Sequence, residues 1–334
     1  MAGNDSIDNS TEYCLLFPRT PHYCDILIYT RGISGGLSLL GSSLVLSITW
    51  LFRKYAAFVQ RMIIYLSISA FFHAISFMMG GVYPLGSACV FKGFWVTYFH
   101  WAVLLWDVHI TCNLYRNVVK MESLEKFEKI FCLNCWGIPL VIAIVPLAAG
   151  RYGPAGAWCW IVDEWDLVRL FMWYIPLFLG IFFMITVYLF IVITLNRKAS
   201  TWHGTYDPDV EQKKARMRND ITALRFYPLV FLLINIIPLI NRIQNVTQEG
   251  KPVFGLILGQ CITAPLQGAL NAMIFGADKD TMSQLTWPSI KIAFQSRFKR
   301  KALIREYVIE EEITVSSPGG STNNAIEVVM DTHI

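Results

Sequence analysis

The sequence predicts an all-α membrane protein, a bundle of seven transmembrane helices with its N-terminus outside and its C-terminus inside. Three observations lead there. Of 334 residues, 54% are hydrophobic and only 16% are charged, and the mean hydropathy is +0.45; such a balance makes the bilayer the main solvent. Seven apolar runs reach the roughly 20 residues that a helix needs to cross the hydrocarbon core. Lys and Arg divide unevenly between the two sets of connections, 21 against seven, and the richer set marks the cytoplasmic side.

The first 25 residues form an extracellular segment. Its opening, MAGNDSIDNSTEY, is polar and lacks the basic and apolar regions of a secretory signal, so the first span directs insertion itself. Asn4 and Asn9 begin two glycosylation sequons, and a third, at Asn245, falls on the same side close to the membrane. The spans lie near 26–51, 62–82, 90–116, 130–149, 168–195, 222–244 and 253–276, which gives a bundle over 26–277. Pro139, Pro146, Pro176, Pro228, Pro238 and Pro265 fall within or beside these runs, so kinked helices are expected, because neighbouring helices, hydroxyls and water can satisfy the freed backbone groups. The net charge of +4 is accounted for by this distribution and calls for no nucleic acid.

Residues 152–161, YGPAGAWCWI, fall in the second extracellular loop. Cys159 is then in an oxidising compartment, and Cys89 at the start of the third span is the cysteine placed to pair with it. A Cys89–Cys159 disulfide would pin the loop over the bundle. Cys14 and Cys24 are a second candidate pair, whereas Cys112, Cys132, Cys135 and Cys261 sit within or below the spans and should be reduced. Trp158 and Trp160 suit either an interfacial aromatic belt or the roof of a ligand pocket.

Ionisable groups at membrane depth are functional candidates. Asp107 lies about 27 Å along the helix from Cys89 at 1.5 Å per residue, in the inner half of the bundle. A lone carboxylate there needs a proton or a partner, and His73, His109 and Asn271 are the candidates. Tyr115 and Arg116 end the third span, where Arg116 is either a coupling residue or a positive anchor. The long third inner loop, NRKASTWHGTYDPDVEQKKARMRND, can extend the sixth helix from a cap at Asp209, carrying Arg218 and Arg225, with Pro228 and Pro238 as hinge points. Lys92, Arg169 and Arg242 near the outer ends of three spans could face one vestibule and attract an anion, or each could snorkel to the headgroups. His100 would line the pocket floor or bond across helices.

Beyond the bundle, 278–310 reads as a membrane-proximal cytoplasmic region. Asp278 can cap a short helix, and an amphipathic helix beginning near Pro288 mixes apolar residues with a basic cluster at 297–301, which anionic lipids attract. Residues 311–334 are acidic, rich in Ser and Thr, and read as a disordered tail. Phosphorylation at Thr314, Ser316, Ser317, Ser321 or Thr322 would suit arrestin, and the terminal Thr332-His333-Ile334 matches a strand-adding PDZ ligand.

Four stretches, YLSISAFFH, LYRNVVK, GPAGAWCW and FYPLVFLLINIIPLINRI, together resemble the cyclic-AMP-receptor-like (class E) family of G-protein-coupled receptors over about 25–285. The resemblance implies an extracellular small-molecule ligand, cyclic AMP or another small anion, held by Lys92, His100, Trp158, Trp160, Arg169 and Arg242. It also implies a heterotrimeric G protein docking at Tyr115, Arg116, Arg218 and Arg225. Relatives often carry an acidic residue where this chain has Ala70, so Asp107, with Asn271 and Pro228, is the expected switch. The acidic-Arg-aromatic triplet of rhodopsin-like receptors is absent.

Other seven-helix classes fit less well. A retinal pump needs a lysine in the last span, and 253–276 has none. The six histidines lack the clustering of a zinc hydrolase, so no metal, cofactor or catalysis is expected. A small-solute transporter is the alternative, but the repeat of three spans used by sugar carriers is not visible here.

Overall fold

The computed structural model describes residues 16–17, 20, 22–80, 86–120, 122–155, 158–162, 166–199, 224–247 and 252–298. Its elements are almost all helical: α1 (His22–Leu51), α2 (Phe58–Met78), α3 (Ser87–Lys120), α4 (Glu128–Ala148), α5 (Asp166–Arg169), α6 (Ile175–Ala199), α7 (Tyr227–Thr247), α8 (Phe254–Thr263), α9 (Gln267–Ala277), α10 (Lys279–Gln284) and α11 (Trp287–Phe298). A two-stranded antiparallel hairpin, β1 (Tyr152–Ala155) and β2 (Trp158–Ile161), sits between α4 and α5. The sequons at Asn4 and Asn9, Cys14, Asp209, Arg218 and the tail motifs lie outside the described residues.

Six helical spans among the described residues are long and apolar enough to cross a membrane. The seventh apolar run is helical but broken. Pro265 has no N–H to continue the ladder, and Ala264–Leu266 tighten into a 3-10 turn between α8 and α9. The fifth span is irregular too, with a π-helical turn at Leu170–Tyr174 between α5 and α6, immediately before Pro176. Helix α2 stops four residues short of the end of its apolar run, because Gly80 turns the chain at φ 75°, a backbone conformation open to glycine.

Small residues let α1 approach its neighbours. Ser38 Oγ accepts the Gly268 N–H at 2.8 Å. A Cβ on Gly41 would come within 2.7 Å of the Ala269 Cα, and one on Gly35 within 2.9 Å of the Phe77 Cβ. Close backbone approach of this kind replaces the hydrophobic drive that lipid cannot supply between membrane helices. The same segment, RGISGGLSLLGSS, reads as an ordinary apolar span when only its hydropathy is counted.

At the end opposite the hairpin, charged clamps join the helices. Arg61 at the start of α2 donates to Glu128 at 2.7 and 2.8 Å and to Glu125 at 3.0 Å, and Tyr65 donates to the same Glu128 at 3.2 Å. Arg61 also caps the 3-10 turn at Lys54–Ala56 by donating to the Ala56 carbonyl at 2.8 Å. Asp278 caps α10 by accepting from the Thr281 N–H at 3.2 Å. Lys54 reaches across to Thr281 Oγ1 at 2.7 Å. Past α10 the chain turns back, and α11 packs on the C-terminal end of α1 through Arg297 and Trp50.

Gly41→Val should lower the unfolding free energy by about 1–3 kcal/mol, the usual cost of overpacking, since the backbone of α9 cannot yield as a side chain would. A denaturant or thermal midpoint unchanged from wild type would contradict the close-packing account.

Candidate functional site: a roofed cavity and a buried polar hub

The hairpin is fixed at three points. The Cys89–Cys159 disulfide, with Cα atoms 5.2 Å apart, ties β2 to the first turn of α3, as the sequence predicts. Cys24 is disulfide-bonded as well. Tyr152 wedges between α3 and α4, its ring against Gly93, where a Cβ would come within 2.7 Å. Its hydroxyl donates to the Ala143 carbonyl at 3.1 Å. Burial pushes this phenol up to about 12, so it remains a neutral donor across physiological pH.

Beneath the hairpin lies a cavity of about 110 Å³, on the order of ten times the space one water needs on the same measure. Trp158 and Trp160 roof it; His73 and His100 reach it from α2 and α3. The irregular backbone elsewhere in the bundle faces this space. The π-helical turn contributes Trp173 and Tyr174, α7 contributes Asn235 and Pro238, and the broken span contributes Ala264 and Pro265. Trp173 stacks on His100, with centroids 4.6 Å apart, and meets Trp160 edge-on at 5.0 Å.

The cavity is cationic. Arg31 and Arg242 line it, and no carboxylate among the described residues does. Arg31 lies over Trp158 at 5.2 Å and over Phe77 at 4.7 Å. Trp160 takes Arg169 at 4.9 Å and Arg242 at 5.7 Å. Three guanidinium groups therefore hold the two roof tryptophans by cation–π contact. His73 and His100 each keep a buried Nε2 with no partner among the described residues.

Several expected positions come together here: His100, Trp158, Trp160 and Arg242 line the cavity, and Arg169 braces its roof. Lys92 does not join them. It is 2% exposed, and its ammonium donates to the Gly80 carbonyl, tying α3 to the turn after α2; a donor turned to a backbone carbonyl is a structural strap. Arg31 and His73 enter instead. Arg31 stands inside the first apolar run, a position where a charge is expensive, and that was the available signal.

The second site is the buried hub. Asp107 is fully buried, and its Oδ2 accepts from Gln267 Nε2 at 3.2 Å. The expected partners lie elsewhere. His73 packs on His100, with centroids 5.3 Å apart, and His109 Nδ1 is 2.7 Å from the Leu105 carbonyl. Asn271, one turn beyond Gln267, keeps both amide atoms buried without a partner among the described residues. Gln267 reaches Asp107 because the 3-10 turn at Pro265 sets the phase of α9, which hydropathy does not report.

At the clamp end, Tyr115 packs on Phe190, with centroids 5.7 Å apart, and Arg116 pairs with Glu122 at 2.8 Å on the surface. Arg225 and Phe226 form a turn, and α7 begins only at Tyr227. Pro228 therefore occupies the first turn of a helix, a position it tolerates, and does not kink one from within.

Comparisons with known proteins identify relatives of the chain. Residues 26–262 match the family model described as slime mold cyclic AMP receptor. Cyclic AMP receptor-like protein A of Dictyostelium discoideum is 27% identical over 283 residues, 84% of this chain and 72% of the relative. G-protein coupled receptor 1 of Arabidopsis thaliana is 27% identical over 73% of this chain and 75% of its own length. G-protein coupled receptor 157 of Homo sapiens is 25% identical over 73% and 78%.

Gln267→Leu removes the donor to a buried carboxyl and should cost about 1–3 kcal/mol, the penalty for leaving a buried polar group unsatisfied. Chemical denaturation of the purified protein would measure it; a loss below 0.5 kcal/mol, about half a net neutral hydrogen bond, would show that the contact carries little.

Proposed function

Because the chain belongs to the slime mold cyclic AMP receptor family, we propose that it is a seven-span receptor of the plasma membrane, N-terminus outside, that senses an extracellular small molecule and activates a heterotrimeric G protein. Its multi-pass helical architecture and receptor relatives support that class. The observation that carries the ligand side is the cavity under the disulfide-anchored hairpin, lined by two arginines and no carboxylate among the described residues. A small organic anion suits it, and cyclic AMP is the first candidate, since receptors named for it are among the relatives.

The switch works by population. The ligand binds more tightly when the inner end of the sixth span is displaced, and occupancy shifts the equilibrium by that difference in affinity. The break at Arg225 and Phe226, next to Pro228, is the hinge. Displacement opens a groove beside Tyr115 and Arg116 for a helix of the G protein. The Asp107–Gln267 contact, with Asn271 beside it, ties α3 to the broken span and is the hub that rearranges. No bond-making chemistry is invoked. Glycosylation at Asn4 and Asn9, an arrestin or a PDZ domain at the tail, and coupling through Arg218 belong to the same reading.

Expressed in a receptor-null cell, the protein should give ligand-dependent nucleotide exchange on a G protein when screened with cyclic nucleotides and other small anions. Arg242→Gln should raise the half-maximal concentration about tenfold, equivalent to about 1.4 kcal/mol. Concentrative uptake into vesicles without nucleotide exchange would identify a solute carrier instead. In the same assay Asp107→Asn should uncouple binding from exchange; normal coupling by that variant would remove the hub from the mechanism.

A further inference from the structure

At the clamp end, away from the cavity and hub, α1 and α11 leave an open groove of about 520 Å³ lined by Leu46, Ser47, Trp50, Leu51 and Phe294. Its walls are apolar and remain in contact with the surroundings: Trp50 is 51% exposed and Phe294 55%. Its rim is basic. The Arg297 guanidinium lies over the Trp50 ring at 4.7 Å and the Tyr55 ring at 5.8 Å, and donates to the Trp50 carbonyl. The Arg53 backbone N–H donates to that same carbonyl at 3.4 Å, closing the end of α1 beside the Arg297 guanidinium. Arg297 Nε keeps no partner among the described residues.

We propose that this groove is a binding site for one anionic phospholipid. An acyl chain lies along Leu46, Trp50 and Phe294, and the phosphate is taken by the Arg297 guanidinium. Three features favour a lipid as occupant. The floor is continuous with the apolar surface that α1 turns to the hydrocarbon. Trp50, Tyr55 and Trp287 expose rings at the same end, the position aromatic side chains take at a headgroup boundary. The charge at the rim complements a phosphate, for which arginine offers paired donors. The site is separate from ligand sensing, because it needs only the membrane and the α1–α11 contact.

The test is native mass spectrometry of the purified full-length protein, given phosphatidylserine and phosphatidylcholine in equal amounts. One phosphatidylserine should be retained in preference to phosphatidylcholine. Arg297→Gln should weaken its retention about fivefold, the contribution of one basic residue near an anionic headgroup, while Arg297→Lys keeps most of it. A photo-reactive benzophenone side chain in place of Phe294 should cross-link to lipid. Equal retention of the two lipids, or no effect of Arg297→Gln, overturns the proposal. A cross-link from position 294 to residues 299–334 or to a second copy of the chain also overturns it, since either would name a different occupant.

Discussion

Hydrocarbon offers no hydrogen bonds, and that constraint orders the whole molecule. A backbone group freed inside the bilayer core costs several kcal/mol unless protein or water meets it. The π-helical turn at Leu170–Tyr174, the proline in α7 and the 3-10 turn at Ala264–Leu266 all break the regular ladder, and each contributes residues to the same roofed cavity. Those three breaks meet at one space inside the bundle.

The two ends of the bundle are held by different forces. At the hairpin end the restraints are covalent and aromatic: the Cys89–Cys159 bridge, the disulfide of Cys24 and a set of guanidinium–tryptophan contacts. At the other end they are exposed ion pairs. Arg61 and Glu128 are 24% and 20% exposed at the side chain, and Arg116 and Glu122 are 30% and 56% exposed. An exposed pair such as Arg116–Glu122 contributes on the order of 1 kcal/mol or less, whereas the bidentate Arg61–Glu128 contact, shared with Glu125 and Tyr65, holds α2 to α4 more firmly.

Six long apolar helices and the Cys89–Cys159 bridge were legible in the sequence because hydropathy and the position of a cysteine are local properties. Family membership was legible from four short stretches, which act as a combination. Partnerships across the bundle were not. His73 and Asn271 are as polar as Gln267, and nothing in composition says which of them faces Asp107; the answer depends on the phase of α9, reset by Pro265. Lys92 failed for a related reason, because one turn of helix separates a vestibule from the Gly80 carbonyl. Arg31 was visible as a charge within an apolar run, where ionisable groups are expensive.

The hairpin also has a consequence for assembly. Tyr152 rests on Ala143 of α4 and against Gly93 of α3, while the thiol that must meet Cys159 belongs to α3, 70 positions earlier. Neither helix alone offers the complete seat. The Cys159 bridge and the seat of Tyr152 together hold the third and fourth spans side by side beneath the hairpin.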